Sequence, residues 1–241
     1  VSRVIRPGMP LVWQNGHCHA YRMETPMSGF LRLLSLSIAL FAAPTLSAAE
    51  AEPPGRVGRI SLASAGTQLR IGDSLASGED TLNWPLTTGA LIETSAGGRS
   101  EVRIGSMALH IDGGTALEFA DLDDARIRLR LHRGSIVIVL RNPEHAAETT
   151  LETPEGSLRF ETPGSYRADV AGGTTAFSAY RGRAFIEMFG LTVHAGERIV
   201  LLGGPDRRYL LGQTTTDAFR QWSLAREPGP TLGQHVSPEM T

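Results

Sequence analysis

The sequence predicts an all-β fold, a solenoid or roll of many short strands with one C-terminal helix; a β-sandwich is the alternative arrangement. Apolar and polar residues alternate with a period of two through much of the stretch from Arg59 to Leu210, the mark of strands with one buried and one wet face. Turn-forming residues interrupt that alternation about every 8–12 residues, the cadence of a sandwich, barrel or solenoid. The composition agrees, with 27 Gly, 14 Pro and only 6% aromatic residues.

In chain order, Met27 to Arg32 leads into the apolar run Leu33–Ala43, then Pro44 and the small residues Ser47-Ala48-Ala49. A basic residue, a short apolar core and small residues at the cleavage point make residues 27–49 a secretory signal, cut after Ala49, with Ala51 as the second choice. The run is too short for a membrane span, which needs about 20 residues. The processed chain is therefore expected to be soluble and exported, periplasmic or secreted. Residues 1–26 precede the signal and read as a spurious upstream extension, with Met27 the true start. They include His17-Cys18-His19, three adjacent residues that cannot comfortably wrap one tetrahedral ion. Without residues 1–49 no cysteine remains, so no disulfide is expected. Residues 50–58 read as a linker.

The β domain is expected over 59–212. Arg59–Leu62, Thr67–Ile71, Ser100–Ile104 and Ile127–Leu131 alternate cleanly. Ile136–Leu140 is continuously apolar and β-branched, so it should be buried on both faces. Turns are expected at Gly97-Gly98, Gly105-Ser106, Asp112-Gly113-Gly114, Arg133-Gly134, Pro154–Gly156, Pro163-Gly164, Gly172-Gly173, Gly182, Gly190, Ala195-Gly196 and Gly203–Pro205. A helix is expected within 213–227, at Thr216–Arg226, with Ala218, Phe219, Trp222 and Ala225 as its buried stripe and Pro228 as its stop. Residues 228–241 read as a flexible tail.

Charge narrows the function. The formal net charge is −2, and every basic residue is Arg. Nucleic acid is not an expected partner, because phosphate binding needs a basic footprint. Gly72-Asp73-Ser74-Leu75 spells the nucleophile block of the GDSL serine esterases, but that chemistry needs a His oriented by a carboxylate. Those enzymes place the Asp three residues before the His; Met107, Leu129, Asn142, Leu191 and Leu232 occupy that place here. Gly72-Asp73-Ser74 reads instead as a hairpin turn, and the esterase stays a remote alternative.

No catalytic, cofactor-binding or metal-binding residues are assigned. Asp121-Leu122-Asp123-Asp124 is acidic enough for calcium, yet Arg126 and His132 stand where an EF-hand loop needs Gly and Glu; it reads as a solvated turn. His110 and His132 read as surface or edge residues. Arg126, Arg128 and Arg130 would line one strand face, either as contacts for a protein partner or satisfied by acidic neighbouring strands. Trp84, Phe177, Tyr180, Phe185, Phe189 and Tyr209 are the aromatics that a glycan platform could use. Trp84 reads as a buried plug, and Phe185 and Ile186 as core.

Trp84-Pro85-Leu86-Thr87-Thr88-Gly89 followed by Ser100–Gly105 resembles the opening of FecR-type domains. Leu131–Ile136, Leu151–Gly156, Tyr180–Ala184 and Val193–Glu197 are similar to later pieces of the same pattern, so the likeness covers about residues 56–203. Asp217-Ala218-Phe219 with Trp222, through Val236–Thr241, looks like the secreted branch of that family without a membrane anchor, shortened at its end. The resemblance implies a periplasmic β-rich module without catalysis; in the namesake system such a domain receives a signal from an outer-membrane receptor and controls a sigma factor. Ala90 departs from the pattern, standing where the family usually carries an acid. The expected function is thus a non-enzymatic envelope signalling or protein-binding scaffold, with an envelope protein as partner and no cofactor. A glycan-binding module is the alternative.

Overall fold

The computed structural model of the chain describes residues 55–206 and 208–227. The expected signal segment, Ala49, His17-Cys18-His19, the upstream extension and the tail lie outside the described residues.

Seventeen strands follow one another: β1 (Gly58–Ala63), β2 (Thr67–Ile71), β3 (Ser74–Ser77), β4 (Pro85–Leu86), β5 (Leu91–Thr94), β6 (Ser100–Ile104), β7 (Met107–Ile111), β8 (Ala116–Leu122) and β9 (Ile127–Leu140) form the first half. After the short helix α1 (Pro143–Glu148) come β10 (Thr149–Thr153), β11 (Gly156–Phe160), β12 (Gly164–Ala171), β13 (Thr174–Arg181), β14 (Arg183–Ile186), β15 (Leu191–His194), β16 (Glu197–Leu202) and β17 (Arg208–Gln213). Helix α2 (Ala218–Arg226) ends the described chain. The all-β expectation holds. α1 adds a second helix to the one expected; Asn142 caps it, its side chain accepting from the His145 N–H, and Pro143 opens it, a start that proline tolerates well.

The strands form two layers joined by β9. The first layer runs β4-β1-β6-β7-β9-β12-β13-β16-β17. The second runs β3-β2-β5-β8-β9-β10-β11-β14-β15. Successive hairpins alternate between layers: β10-β11 in the second, β12-β13 in the first, β14-β15 in the second and β16-β17 in the first. β9 supplies a full coil. Its first half lies in the second layer and its second half in the first; α1 then returns the chain, so that β10 pairs parallel to the start of β9. This is a coiled, roll-like path laid out in two sandwich layers.

The change of layer happens at Arg133-Gly134, where the sequence suggests a turn between two strands. The structure keeps one 14-residue strand there. Gly134 has φ +89, which L side chains rarely adopt, and a Cβ on it would lie 2.3 Å from Thr115 Oγ1. The strand thereby bends between layers, and its buried phase shifts from odd positions (Ile127, Leu129, Leu131) to even ones (Ile136, Ile138, Leu140).

The main core lies between the layers and includes Ile60, Leu69, Ile92, Leu109, Leu117, Phe119, Leu129, Ile138, Tyr166, Phe177, Ile186 and Leu201, all nearly inaccessible. Each such side chain contributes about 1.5–3 kcal/mol by leaving water. Ile136–Leu140 is buried on both faces as expected. Ile136, Ile138 and Leu140 join the main core, while Val137 and Val139 face outward and pack with Ala108 beneath Phe219 of α2.

Candidate interaction surfaces

Three surfaces carry the side chains singled out by sequence: the outer face of the second layer, the outer face of the first layer under α2, and the free edge at β17.

On the second layer, Arg128 and Arg130 project outward from β9 and meet acids on both neighbouring strands. Arg128 pairs with Asp121 of β8 at 2.9 Å and with Glu152 of β10 at 3.5 Å. Arg130 pairs with Glu118 at 3.2 Å and with Glu152 at 3.0 Å. Cross-strand registry imposes the ladder, because Glu118 and Glu152 both stand opposite Arg130. His132 continues it by bonding Glu118. Burial alone would raise the pKa of Glu118, but His132 and Arg130 outweigh that and hold it below its usual value. Arg126 lies before the strand, and its N–H donates to Asp123 Oδ1. Asp123 accepts from the Ala125 N–H as well, so these local bonds tie the acidic turn together. No group of three His, Cys, Asp or Glu residues able to hold a metal ion occurs among the described residues.

Ser74 opens β3 directly after the two-residue loop Gly72-Asp73, with Ile71 opposite it. Gly in the first loop position, with φ +55, suits the II′ type of hairpin turn. The four histidines of the described residues are engaged elsewhere: His110 with Ser223, His145 with Ser106, His132 with Glu118, and the His194 N–H with Glu197.

The aromatics are dispersed. Phe177 belongs to the main core, and Trp84 is half-buried at the margin of that core. Phe185, expected in the core with Ile186, instead lies on the outer face of the second layer, half-buried under the Arg159 guanidinium. Its neighbours Ala184 and Ile186 point inward, and the period of two forces Phe185 out. Tyr180 stacks under Arg220, 4.1 Å from its guanidinium carbon. Phe189 and Tyr209 meet edge to face at 5.3 Å.

Under α2 the outer face of the first layer is polar, and here sequence reasoning errs twice. His110 is fully buried rather than at the surface, because α2 covers β7. The helix also buries a different stripe: Phe219, Arg220 and Ser223 are inside, while Ala218 and Ala225 are exposed. The surface below accounts for that choice. It offers Glu101, His110, Ser165 and Arg167, which an alanine stripe could not satisfy. His110 Nδ1 lies 2.7 Å from Ser223 Oγ, and its Nε2 has no partner among the described residues. Burial, aided by Arg103 and Arg226 and opposed by Glu101 and Glu227, pushes the imidazole down to about 4.

Charges lock the helix at both ends. At its start, Asp217 accepts from the Arg220 N–H through Oδ1 and from Arg167 through Oδ2. Arg167 also bonds Asp169 at 2.7 Å; burial opposes its charge, but Asp169 and Asp217 outweigh that and hold it firmly protonated. At its end, Arg226 bonds Glu101. Burial would raise Glu101, yet Arg226 and Arg103 keep it lowered. Glu227 is saturated by Arg220 at 2.7 Å, Arg181 at 2.9 Å and Ser165 at 3.2 Å.

Beside that end an open groove of about 680 Å³ is lined by Val139, Pro163 and Leu224 and by Arg141, Arg181, Arg220 and Glu227.

β17 closes the first layer at its far side. All six of its residues are exposed, and β16 is its sole strand partner among the described residues. Leu211 stands opposite the buried Ile199, on the core-facing side, yet is 74% exposed. From the second layer, Phe189 of the β14–β15 hairpin meets Tyr209, while Leu211 stays uncovered. Leu210, on the other side, is 58% exposed. The expected contact residues were arginines; the apolar edge escaped notice because Tyr209-Leu210-Leu211 reads like any other strand core.

No family model matches the chain, and no curated protein does. Among solved structures, two crystal structures of a candidate anti-sigma factor from Parabacteroides distasonis are similar to it, at 14% and 13% identity, each with a TM-score of 0.44. Each alignment covers 51% of this chain and 59% of that one, so the chain spans about three fifths of their length.

Proposed function

We propose that this chain is a non-enzymatic protein-binding scaffold of FecR type, exported to the cell envelope and serving in signalling, and that it takes its partner at β17. The carrying observation is the edge itself: six exposed residues, one side of the strand unpaired among the described residues, and Leu210 and Leu211 exposed. Native sheets normally blunt such edges with charge, proline or a bulge, and an uncovered apolar edge is the surface on which an extended segment adds as a further strand. FecR type and export are supported by the residues of the resemblance and by residues 27–49. Within the described residues no helix is long and apolar enough to cross a membrane.

The experiment is capture from an envelope fraction with the wild-type chain and with a Leu210→Lys, Leu211→Lys double variant. A protein retained by the wild type and lost by the folded double variant supports the edge as the docking site. Equal retention by both removes it. The glycan alternative has weaker support, since Trp84, Phe177, Phe185 and Tyr180 do not share one exposed surface.

A further inference from the structure

We propose that the groove beside the end of α2 is a second binding site, independent of β17, for an extended peptide segment of a partner that presents a carboxylate next to an aliphatic side chain. The groove's volume of about 680 Å³ falls within the roughly 300–1,000 Å³ of ordinary ligand sites. Its apolar lining of Val139, Pro163 and Leu224, of which Leu224 is 45% exposed, suits an aliphatic group. Its rim carries three guanidinium groups and a single carboxylate.

The balance of charge selects the occupant. Glu227 already accepts from Arg220, Arg181 and Ser165, so its negative charge is spent on two of the three cations. Arg141 has no acidic partner among the described residues; its Nη1 donates only to the Ser106 carbonyl, at 2.7 Å. Partial burial and the Arg103 and Arg181 guanidinium groups disfavour its charge, Glu227 and Glu101 oppose them from a distance, and the net effect is a pKa below the usual arginine value. A cation held near like charges beside an apolar lining is relieved by an incoming anion, and the arginine fork matches a carboxylate in two-point geometry. Arg220, buried and stacked on Tyr180, fixes one wall so that the site needs little rearrangement.

The test uses the full chain and a C-terminally amidated peptide, Leu-Glu-Leu-Glu-Leu-amide, labelled with fluorescein at its N-terminus and followed by fluorescence anisotropy. Saturable binding is expected that weakens as salt is raised. It should fall about tenfold or more for Arg141→Glu, the scale of one lost charge-assisted bond, and for the peptide with both Glu replaced by Gln. The Leu210→Lys, Leu211→Lys variant should bind the peptide as the wild type does. Arg141 is exposed, so Arg141→Glu should keep the wild-type circular dichroism. Absence of binding to the wild type, equal binding by Arg141→Glu, or equal binding of the Gln peptide would each overturn the assignment.

Discussion

His110 and Ser223 lie 113 positions apart in sequence, yet Nδ1 and Oγ are 2.7 Å apart, with the imidazole sealed between β7 and α2. The contact makes the docked helix sensitive to protonation of a single ring.

That sensitivity gives the first prediction. The folded value of about 4 lies below the ordinary 6.5, so the unfolded chain takes up a proton that the folded chain refuses. The associated stability is complete above about pH 6.5 and is lost as pH falls towards 4. A shift of that size corresponds to roughly 3–4 kcal/mol at most. Urea denaturation at pH 7 and pH 4.5 should show the loss in the wild type and a clearly smaller pH slope in His110→Asn. His145, which burial also lowers, and the lowered carboxyls of Glu101, Glu118 and Asp217 supply the remaining slope. Identical slopes would show that His110 is not sealed.

Gly134 should be irreplaceable where Gly196 is not. Both have positive φ, but a Cβ at Gly134 would strike Thr115, while at Gly196 it would meet open space. Gly196→Ala should cost about 1 kcal/mol for the left-handed backbone. Gly134→Ala should cost clearly more, measured by thermal denaturation, because the strand can no longer change layers.

Arg167 and Arg128 both make two ion pairs, yet their removal should differ. Arg167 is nearly buried between Asp169 and Asp217, whereas Arg128 is 43% exposed. Stripping one partner from a desolvated pair costs several kcal/mol, so Arg167→Ala should lower stability by about 2–4 kcal/mol. Arg128→Ala should cost under about 1 kcal/mol, as exposed pairs do. Urea midpoints of the two variants make the comparison.

Ser74→Ala should leave stability within about 0.5 kcal/mol, the scale of an ordinary surface substitution. A purified chain that hydrolyses a simple ester and loses that activity in Ser74→Ala would revive the esterase alternative.

Period and punctuation made most of the architecture legible. Ile127–Leu131 reads as a half-wet strand and Ile136–Leu140 as a doubly buried one because burial acts residue by residue along a pleat. The bend at Arg133-Gly134 was not legible: glycine announces positive φ, but not whether the ladder stops or continues. His110 and the polar stripe of α2 were hidden for a related reason. A helix buries whatever its docking surface demands, and that surface is assembled from β6, β7 and β12, remote in sequence. The ladder of Arg128 and Arg130 was readable as a stripe, but which acids answer it depends on strand order. The exposure of Leu211 depends on what the other layer covers, which no local pattern encodes.

The most direct test is photo-cross-linking in cells, with benzoylphenylalanine at Leu211 on the free edge and, in parallel, at Thr150 on the second layer. A discrete protein adduct from position 211 and none from position 150 is the result expected of a β17 docking edge. No adduct at 211, or the same adducts from both positions, would contradict it.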